Sequence, residues 1–337
     1  MNRAVDRVTT SRFAGRSVHR ADRGFTLLEL LIAMTLGLVI LAASLAVYTS
    51  SSRGSQISQV ETQMNEDGVL ALNIIQEQIK QAGYAKQIIP AAGSTVVMGN
   101  YAGVAVRGCD LGFVDAGAAF DSLACNTTGT GSDAIAVRYE ATTNNTVPTS
   151  AGLPTNCIGN GINAINTSQV SPAPTPAPAT YALADNRYMV TTPTTYPSLS
   201  CRGNEASGAS NAIATSQPLI ANVEDMQITY GVATKPTQEL GNAYDANFHQ
   251  IISYLTATQI DSLATSGTLP NARDDRWGRV LSVRVCLLMR SNQVVRDVPT
   301  GGFNYKDCSN VDGTSTDGYL RRTYTTTVLL RNRMVTQ

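Results

Sequence analysis

The chain has 337 residues and zero formal net charge, with 43% hydrophobic but only 15% charged residues. Its length allows one large domain or two small ones. Few charges and many hydroxyl side chains are more typical of a secreted or envelope β-rich protein than of a cytosolic enzyme. Residues 1–24 hold six arginines and two aspartates, which leaves 19 basic and 23 acidic residues in the remainder, a net charge of −4. This mildly acidic body argues against nucleic acid as a partner.

An apolar run covers residues 25–48, and Glu29 is its only ionisable group before Tyr48. As a helix rising about 1.5 Å per residue, the run would span ~36 Å, which exceeds a bilayer core of ~30 Å. The arginine-rich flank predicts a cytoplasmic N-terminus. A plain anchor leaves Glu29 unexplained, because a carboxylate inside the bilayer costs ~2.5–3.5 kcal/mol. A secretory signal peptide with a cleavage site at Ser44–Ala46 is the other alternative, but its apolar region would be shorter and uncharged.

The segment Gly24-Phe25-Thr26-Leu27-Leu28-Glu29-Leu30 resembles the class III signal of type IV prepilins and pseudopilins. The resemblance implies that residues 1–24 are a leader, which a prepilin peptidase cleaves after Gly24 before it methylates the new N-terminus at Phe25. It further implies that residues 25–48 are a transmembrane and polymerisation helix. In a bundle of such helices the Glu29 carboxylate can meet the terminal amine of a neighbour's Phe25, and this pair favours one axial register.

Apolar and small residues continue at helical spacing beyond the membrane segment, which predicts an amphipathic continuation of the helix over residues 49–83. Gly83 is the expected stop, and Pro90 bars further helix. Two helices joined near residues 49–55 are the alternative. The predicted apolar face consists of Ile57, Val60, Met64, Gly68, Ala71, Ile75, Ile79 and Ala82.

The remainder, residues 84–337, is expected to be a β-rich periplasmic domain. Alternating apolar and polar residues predict an antiparallel pair of strands joined by a long, turn-rich loop. The predicted pair lies at 279–290 and 319–332, with further strands at 226–232 and 134–142 and a short helix at 256–264. Residues from about 90 to 215 are expected to be a loop-rich insertion, which includes the proline-rich Ser171–Thr180.

All six cysteines follow the apolar run, and none forms a CxxC motif. An even number beyond a membrane segment favours disulfides in an oxidising compartment, with buried free thiols as the alternative. Among the 15 possible connectivities, sequence neighbours are favoured because short loops close most easily. The favoured pairs are Cys109–Cys125, Cys157–Cys201 and Cys286–Cys308.

Catalytic and metal-binding signals are weak. His19 lies in the leader, so His249 would be the mature chain's only histidine, which excludes two-histidine metal sites within one chain. No phosphate-binding loop or dinucleotide motif occurs, so neither an enzyme nor a cofactor is predicted. A membrane-anchored hydrolase built on His249 is the rival in a different functional class. Asp312 and Asp317 lie in a loop without EF-hand spacing, so a solvated turn is expected there rather than a calcium site.

Several stretches are similar to the PilW minor-pilin family and to J-type pseudopilins of type II secretion, namely residues 66–84, 219–232, 279–291 and 321–333. The resemblance implies an α+β, pilin-like fold, in which a long N-terminal helix with a transmembrane first half packs on an antiparallel β-sheet domain. Residues from about 90 to 215 carry no such similarity.

The resemblance also implies a function. The protein would be a non-enzymatic minor pilin that primes type IV pilus assembly, stays near the fibre tip and is anchored in the inner membrane with its C-terminal domain in the periplasm. Implied partners are the prepilin peptidase, other minor pilins, the major pilin, the inner-membrane assembly platform and a tip adhesin. A J-type pseudopilin is the alternative. A mature length of 313 residues and the central insertion favour the minor pilin.

Overall fold

The computed structural model describes residues 24–88, 98–101, 103–167, 180–192, 196–236, 246–295 and 298–333. Residues 1–23 of the predicted leader and most of the proline-rich segment lie outside these ranges. The helices are α1 Leu27–Gln81, α2 Ala257–Ser262 and α3 Ala272–Trp277. The strands are β1 Gln87–Ile88, β2 Met98–Gly99, β3 Val106–Cys109, β4 Ala134–Ala141, β5 Ala182–Thr191, β6 Ser198–Ser207, β7 Ser210–Ile213, β8 Gln217–Ala221, β9 Val223–Val232, β10 Ser253–Leu255, β11 Val280–Arg290, β12 Phe303–Lys306, β13 Asp312–Ser315 and β14 Arg321–Leu329.

The chain divides into two compact units, residues 1–55 and 56–337, and α1 belongs to both. The helix continues through the serine-rich residues 50–55 without a break, so the two-helix alternative is wrong. It ends at Gln81, shortly before Gly83, whose positive φ of 75° is a conformation that favours glycine after a helix. The predicted stop at Gly83 is therefore confirmed.

The second unit contains two larger antiparallel sheets. One has four strands in the order β10-β9-β11-β14, and the other has six strands, β3-β4-β5-β6-β7 with β8 also paired to β6. Two small sheets, β1-β2 and β12-β13, complete the strand pairing of the described chain. With the long helix α1, this is the α+β fold with antiparallel sheets that the sequence predicts.

The strands predicted from period-two alternation are confirmed. β11 and β14 pair over nine residues, from Ser282 opposite Leu329 to Arg290 opposite Arg321, without a shift in register. β9 and β4 lie at the other two predicted strand positions, and the predicted short helix is α2. Thr256 begins α2 with a capping box, in which its side chain and that of Gln259 each bond to the other residue's main-chain N–H.

The prediction of a loop-rich insertion from about residue 90 to 215 is wrong. Five strands of the six-stranded sheet, β3 to β7, lie between residues 106 and 213. These strands bury polar side chains, which break the alternation on which strand prediction depends. In β5, for example, Asp185, Asn186 and Arg187 are consecutive and all buried. Such a run looks like a polar loop in the sequence.

The second half of α1 buries one stripe of side chains against the sheets, and Gly68 lies within it. A Cβ atom at Gly68 would lie 2.6 Å from the ring of Tyr324 on β14, well inside van der Waals contact. The Tyr324 hydroxyl donates to Oδ1 of Asn65 at 2.5 Å, which fixes the ring over the glycine. The buried stripe comprises Val60, Met64, Gly68, Ala71, Ile75 and Ile79.

We expect Gly68→Ala to destabilise the second unit by ~1–3 kcal/mol, because the added methyl group overpacks the helix against a ring that its hydrogen bond holds in place. Denaturant unfolding of the full chain in detergent measures this change. Gly54→Ala is the matched control, since no atom lies within 4 Å of its Cβ position and alanine is the better helix former. Equal stabilities for the two variants would contradict the proposed close packing.

Candidate assembly site

The side chains at the start of α1 form a capping box. The Glu29 N–H donates to Oγ1 of Thr26 at 3.2 Å, and the Thr26 N–H donates to Oε2 of Glu29 at 2.9 Å. The Thr26 hydroxyl also donates to the same Oε2, at 3.1 Å. This reciprocal arrangement satisfies main-chain donors that a helix start leaves unpaired, and it places the carboxylate at the positive end of the helix dipole.

The three residues of the predicted processing and assembly site lie together at this helix start. Gly24 and Phe25 precede the cap, and the Phe25 side chain is 88% exposed. Within the described chain no cation lies within salt-bridge distance of Glu29. Its Oε1 accepts no hydrogen bond there, because both bonds to the carboxylate use Oε2. Among the described residues, Oε1 therefore has no donor and is available to a further one.

The first half of α1 has the length and composition of a membrane span. Its most apolar window has a mean hydropathy of 2.6, and none of that window is buried within the protein. It is the only helix of the described residues that meets these criteria, which a cleaved signal sequence would also meet. Hydropathy alone therefore does not distinguish a membrane anchor from a cleaved signal sequence, and the residues around the helix start are needed for this distinction.

Three disulfide bonds join the six cysteines. The bonds are Cys109–Cys125, Cys157–Cys201 and Cys286–Cys308, with sequence separations of 16, 44 and 22 residues. These are the pairs of sequence neighbours that short loop closure favours. The last bond ties β11 to the connection before β14, where the sequence predicts a turn-rich loop and the structure has the hairpin β12-β13.

Two buried arginines hold the main chain of the first disulfide loop, residues 109–125. Arg107 and Arg187 donate four hydrogen bonds of 2.5–3.1 Å to carbonyl oxygens within residues 116–123. Asp185 pairs with Arg187 through both carboxylate oxygens. Burial lowers the pKa of Arg107 to about 10, so its guanidinium remains charged at neutral pH. Neither arginine forms a recognisable motif, and sequence analysis missed this role.

The candidate ligand and catalytic groups do not converge on one site. Within the described ranges, no group of three His, Cys, Asp or Glu side chains could hold a metal ion. Asp317 accepts bonds from Arg321 at 2.7 and 2.9 Å, and Asp312 pairs with Lys306 at 2.8 Å. These two aspartates therefore form salt bridges with basic side chains. His249 belongs to no metal-ligand group of this kind.

A cleft of about 530 Å³ lies beside the end of α1. Its described lining includes Gln78, Tyr139, Asn145 and Asn156. Oε1 of Gln78 accepts from the Tyr139 hydroxyl at 3.0 Å, and the side-chain oxygens of both asparagines accept from nearby main-chain N–H groups. Much of the cleft's hydrogen-bonding capacity is thus used within the chain, and its lining contains no base beside a nucleophile.

A buried carboxyl group joins the two larger sheets. Asp133, just before β4, is 4% exposed and accepts from the Ile228 N–H on β9 at 2.6 Å, while the Asp133 N–H donates to Met226 at 2.8 Å. Burial, with smaller contributions from Asp110 and Asp225, raises the pKa of Asp133 to about 8. The carboxyl group is therefore largely protonated at neutral pH. Sequence analysis gives no sign of this.

We expect the free energy of unfolding to fall as the pH rises from about 4 to about 8. In the folded protein the pKa of Asp133 is about 8, whereas in the unfolded chain the carboxyl group loses its proton near the ordinary aspartate pKa of 3.8. The native state therefore holds more protons than the unfolded state throughout this range. The free energy of unfolding falls in total by on the order of 5 kcal/mol. Urea unfolding at several pH values measures it.

Asp133→Asn is the control for this pH dependence. Asparagine retains an acceptor for the Ile228 N–H but cannot ionise, so the variant should lose most of the slope between these pH values. The same slope in both proteins would show that other groups cause it. Asp275 and Asp317 do not cause this slope. Hydrogen bonds lower the pKa of both carboxyl groups, so these groups change the stability only at a pH below about 4.

Two family models match parts of this chain. Residues 19–45 match the prokaryotic N-terminal methylation motif, and residues 187–332 match the family described as type IV pilus-assembly protein W, PilW. A type IV-like pilin from Thermus thermophilus aligns over 80% of this chain and 98% of its own, with 11% identity and a TM-score of 0.34. No match was found among curated proteins. The methylation motif covers the capped helix start and most of the apolar run, so the chain combines a type IV pilin-like N-terminal segment with a PilW domain.

Proposed function

We propose that the protein is a minor pilin, which primes assembly of a type IV pilus and stays near the fibre tip. The observation that carries this proposal is the presence of both an N-terminal methylation motif and a PilW domain in one chain. On this proposal a prepilin peptidase cleaves after Gly24 and methylates Phe25. The protein then acts as a structural subunit, and its work is to bind other subunits.

The assembly step depends on Glu29. Cleavage after Gly24 creates an α-amino group at Phe25, one residue before the helix cap. In a bundle of such helices this amine can bind Oε1 of Glu29 in a neighbouring subunit, while Oε2 keeps its bonds to Thr26. A charge pair in an apolar bundle favours the axial stagger that brings its partners together, because each charge left alone would be costly.

The proposed orientation places the arginine-rich leader in the cytoplasm and the second unit in the periplasm. Three disulfide bonds suit an oxidising compartment on that side of the membrane. The proposed partners are other minor pilins, the major pilin, the inner-membrane assembly platform and a tip adhesin.

The proposed charge pair predicts that Glu29→Gln and Glu29→Ala both enter the pilus poorly. Glutamine can still form the capping box but has no charge, whereas alanine loses both the cap and the charge. Immunoblots of sheared pili measure incorporation, and mass spectrometry of the membrane form should show a start at methylated Phe25 in each protein. Normal incorporation of Glu29→Gln would exclude the charge pair and leave only the cap. A start near Thr49, or no processing, would exclude the prepilin signal.

A deletion strain distinguishes the minor pilin from the J-type pseudopilin. We expect loss of surface pili and of twitching motility with normal secretion of exoproteins, and complementation by the full chain should restore both. A strain that keeps its pili but no longer secretes exoproteins would contradict the proposal. The pseudopilin would then be the correct assignment.

A further inference from the structure

β14 is an edge strand, and its outer edge is open. The order β10-β9-β11-β14 leaves no strand of the described chain beyond it. Two main-chain hydrogen bonds of 2.8 Å flank the ladder: the Leu330 N–H donates to the Leu281 carbonyl oxygen, and the Ser291 N–H donates to the Leu320 carbonyl oxygen. The even-numbered residues of β14 are therefore the ones that bond to β11. Because an antiparallel ladder alternates, the N–H and C=O groups of the odd-numbered residues point outward. These residues are Thr323, Thr325, Thr327 and Leu329.

The edge lacks several of the features that usually prevent strand pairing. β14 contains no proline, lysine or carboxylate, and its nine paired residues show no bulge. Thr325 and Thr327 are exposed, and Leu329 is 48% exposed. The β12-β13 hairpin lies beside the first part of β14, where the Arg321 guanidinium is 5.7 Å from the ring centre of Tyr305. An added strand could therefore pair with the part of β14 beyond the hairpin, around Thr325 and Thr327.

One row of α1 lines the inner side of this edge. Asn65 and Gln76 accept bonds from the hydroxyls of Tyr324 and Thr326. Val69 and Leu72 lie between them at helical spacing, so they belong to the same row. Val69 is 52% exposed, and Leu72 is partly buried. Alternate side chains of an added strand would meet this apolar surface, and the others would lie on the threonine face.

Three arginines at the edge form no salt bridge within the described chain, although the carboxylates of Glu61 and Asp67 on α1 lie near enough to Tyr324 to act on it electrostatically. Arg322 donates to Asn65 at 2.9 Å, and the Arg284 guanidinium lies 4.3 Å from the ring centre of Tyr254. Among the described residues, no carboxylate lies within 4 Å of the basic groups of Arg322, Arg284 or Arg331. By contrast, Arg321 is paired with acidic groups at the start of the same strand. The edge is therefore complementary to a segment that carries acidic residues.

We propose that the open edge of β14 binds an extended, acidic segment of a different pilin subunit as an added β-strand. Apolar residues of that segment face Val69 and Leu72, and polar residues face the threonines. A second copy of this chain is a poorer partner through the same strand, because β14 carries two arginines and no carboxylate. The proposal rests on the proposed function, since it assigns one contact within the pilin complex.

A photoreactive side chain placed at Thr325 of the full chain tests the contact in cells. We expect ultraviolet light to link it to one segment of another pilin subunit, which peptide mass spectrometry should identify as acidic with alternating apolar residues. Thr314 on β13 is the matched control, because it is also an exposed strand threonine, and it should not give this product. A product with a second copy of this chain, the same product from Thr314, or no product from Thr325 would overturn the proposal.

Thr325→Pro tests the main-chain pairing. The Thr325 N–H points outward, so proline removes no bond to β11 but blocks the added strand, and incorporation into pili should fall by roughly tenfold, as expected for one or two lost hydrogen bonds. Thr325→Val keeps the N–H and should be incorporated normally. Normal incorporation of the proline variant would overturn the proposal.

A double variant provides a second test, which does not depend on how well the proline variant folds. It carries Arg284→Glu and Arg322→Glu together. It reverses the charge of the edge and should also reduce incorporation, whereas normal incorporation would overturn the proposal. Glu29→Gln, with an intact edge, separates a failure of the proposed function from a failure of the edge contact. If that variant is excluded from pili while the edge variants enter normally, the proposed function stands and the edge contact fails.

Discussion

The close approach of β14 to α1 is the contact on which the second unit depends. Gly68 admits the ring of Tyr324, and the ring's hydroxyl is fixed by Asn65 on the same helix. Farther along α1 towards its C-terminal end, the long side chains of Ile75 and Ile79 are completely buried. A helix with a larger residue at position 68 would have to move away from the sheet, and these side chains would then lose contacts throughout the core.

Buried polar groups determine how the six-stranded sheet meets its neighbours. Gln78 on α1 accepts from both Tyr139 on β4 and Asn186 on β5, at 3.0 and 2.9 Å, so helix and sheet share one network. Asp133 forms a comparable bond to Ile228 on β9. Apolar packing alone tolerates small sliding movements, whereas a buried donor without its acceptor is costly. These bonds therefore favour one alignment of the elements over others with similar apolar burial.

The same polar groups explain how much of the molecule could be predicted from sequence. β11 and β14 were predictable because their alternation is regular, and α1 because its apolar stripe follows the helical period through position 79. β5 was not, because Asn186 and Arg187 have partners that are distant in sequence. At the candidate site, Gly24, Phe25 and Glu29 were predicted from the resemblance to prepilins, and Thr26 was missed although Thr-x-x-Glu is a capping-box pattern. The open edge of β14 requires knowledge of the strand order.

The capping box also bears on how one carboxylate can serve both the single chain and the proposed fibre. Both bonds from described residues to the Glu29 carboxylate use Oε2, so binding a neighbour's amine through Oε1 need not break the cap. The cap restricts the side chain to one orientation before assembly, which lowers the entropy that pairing would otherwise cost. It also compensates part of the charge of a monomer in the membrane, because main-chain donors and the helix dipole stabilise a carboxylate at this position. The same threonine would thus make the monomer less costly to insert and its carboxylate better positioned to bind the next subunit.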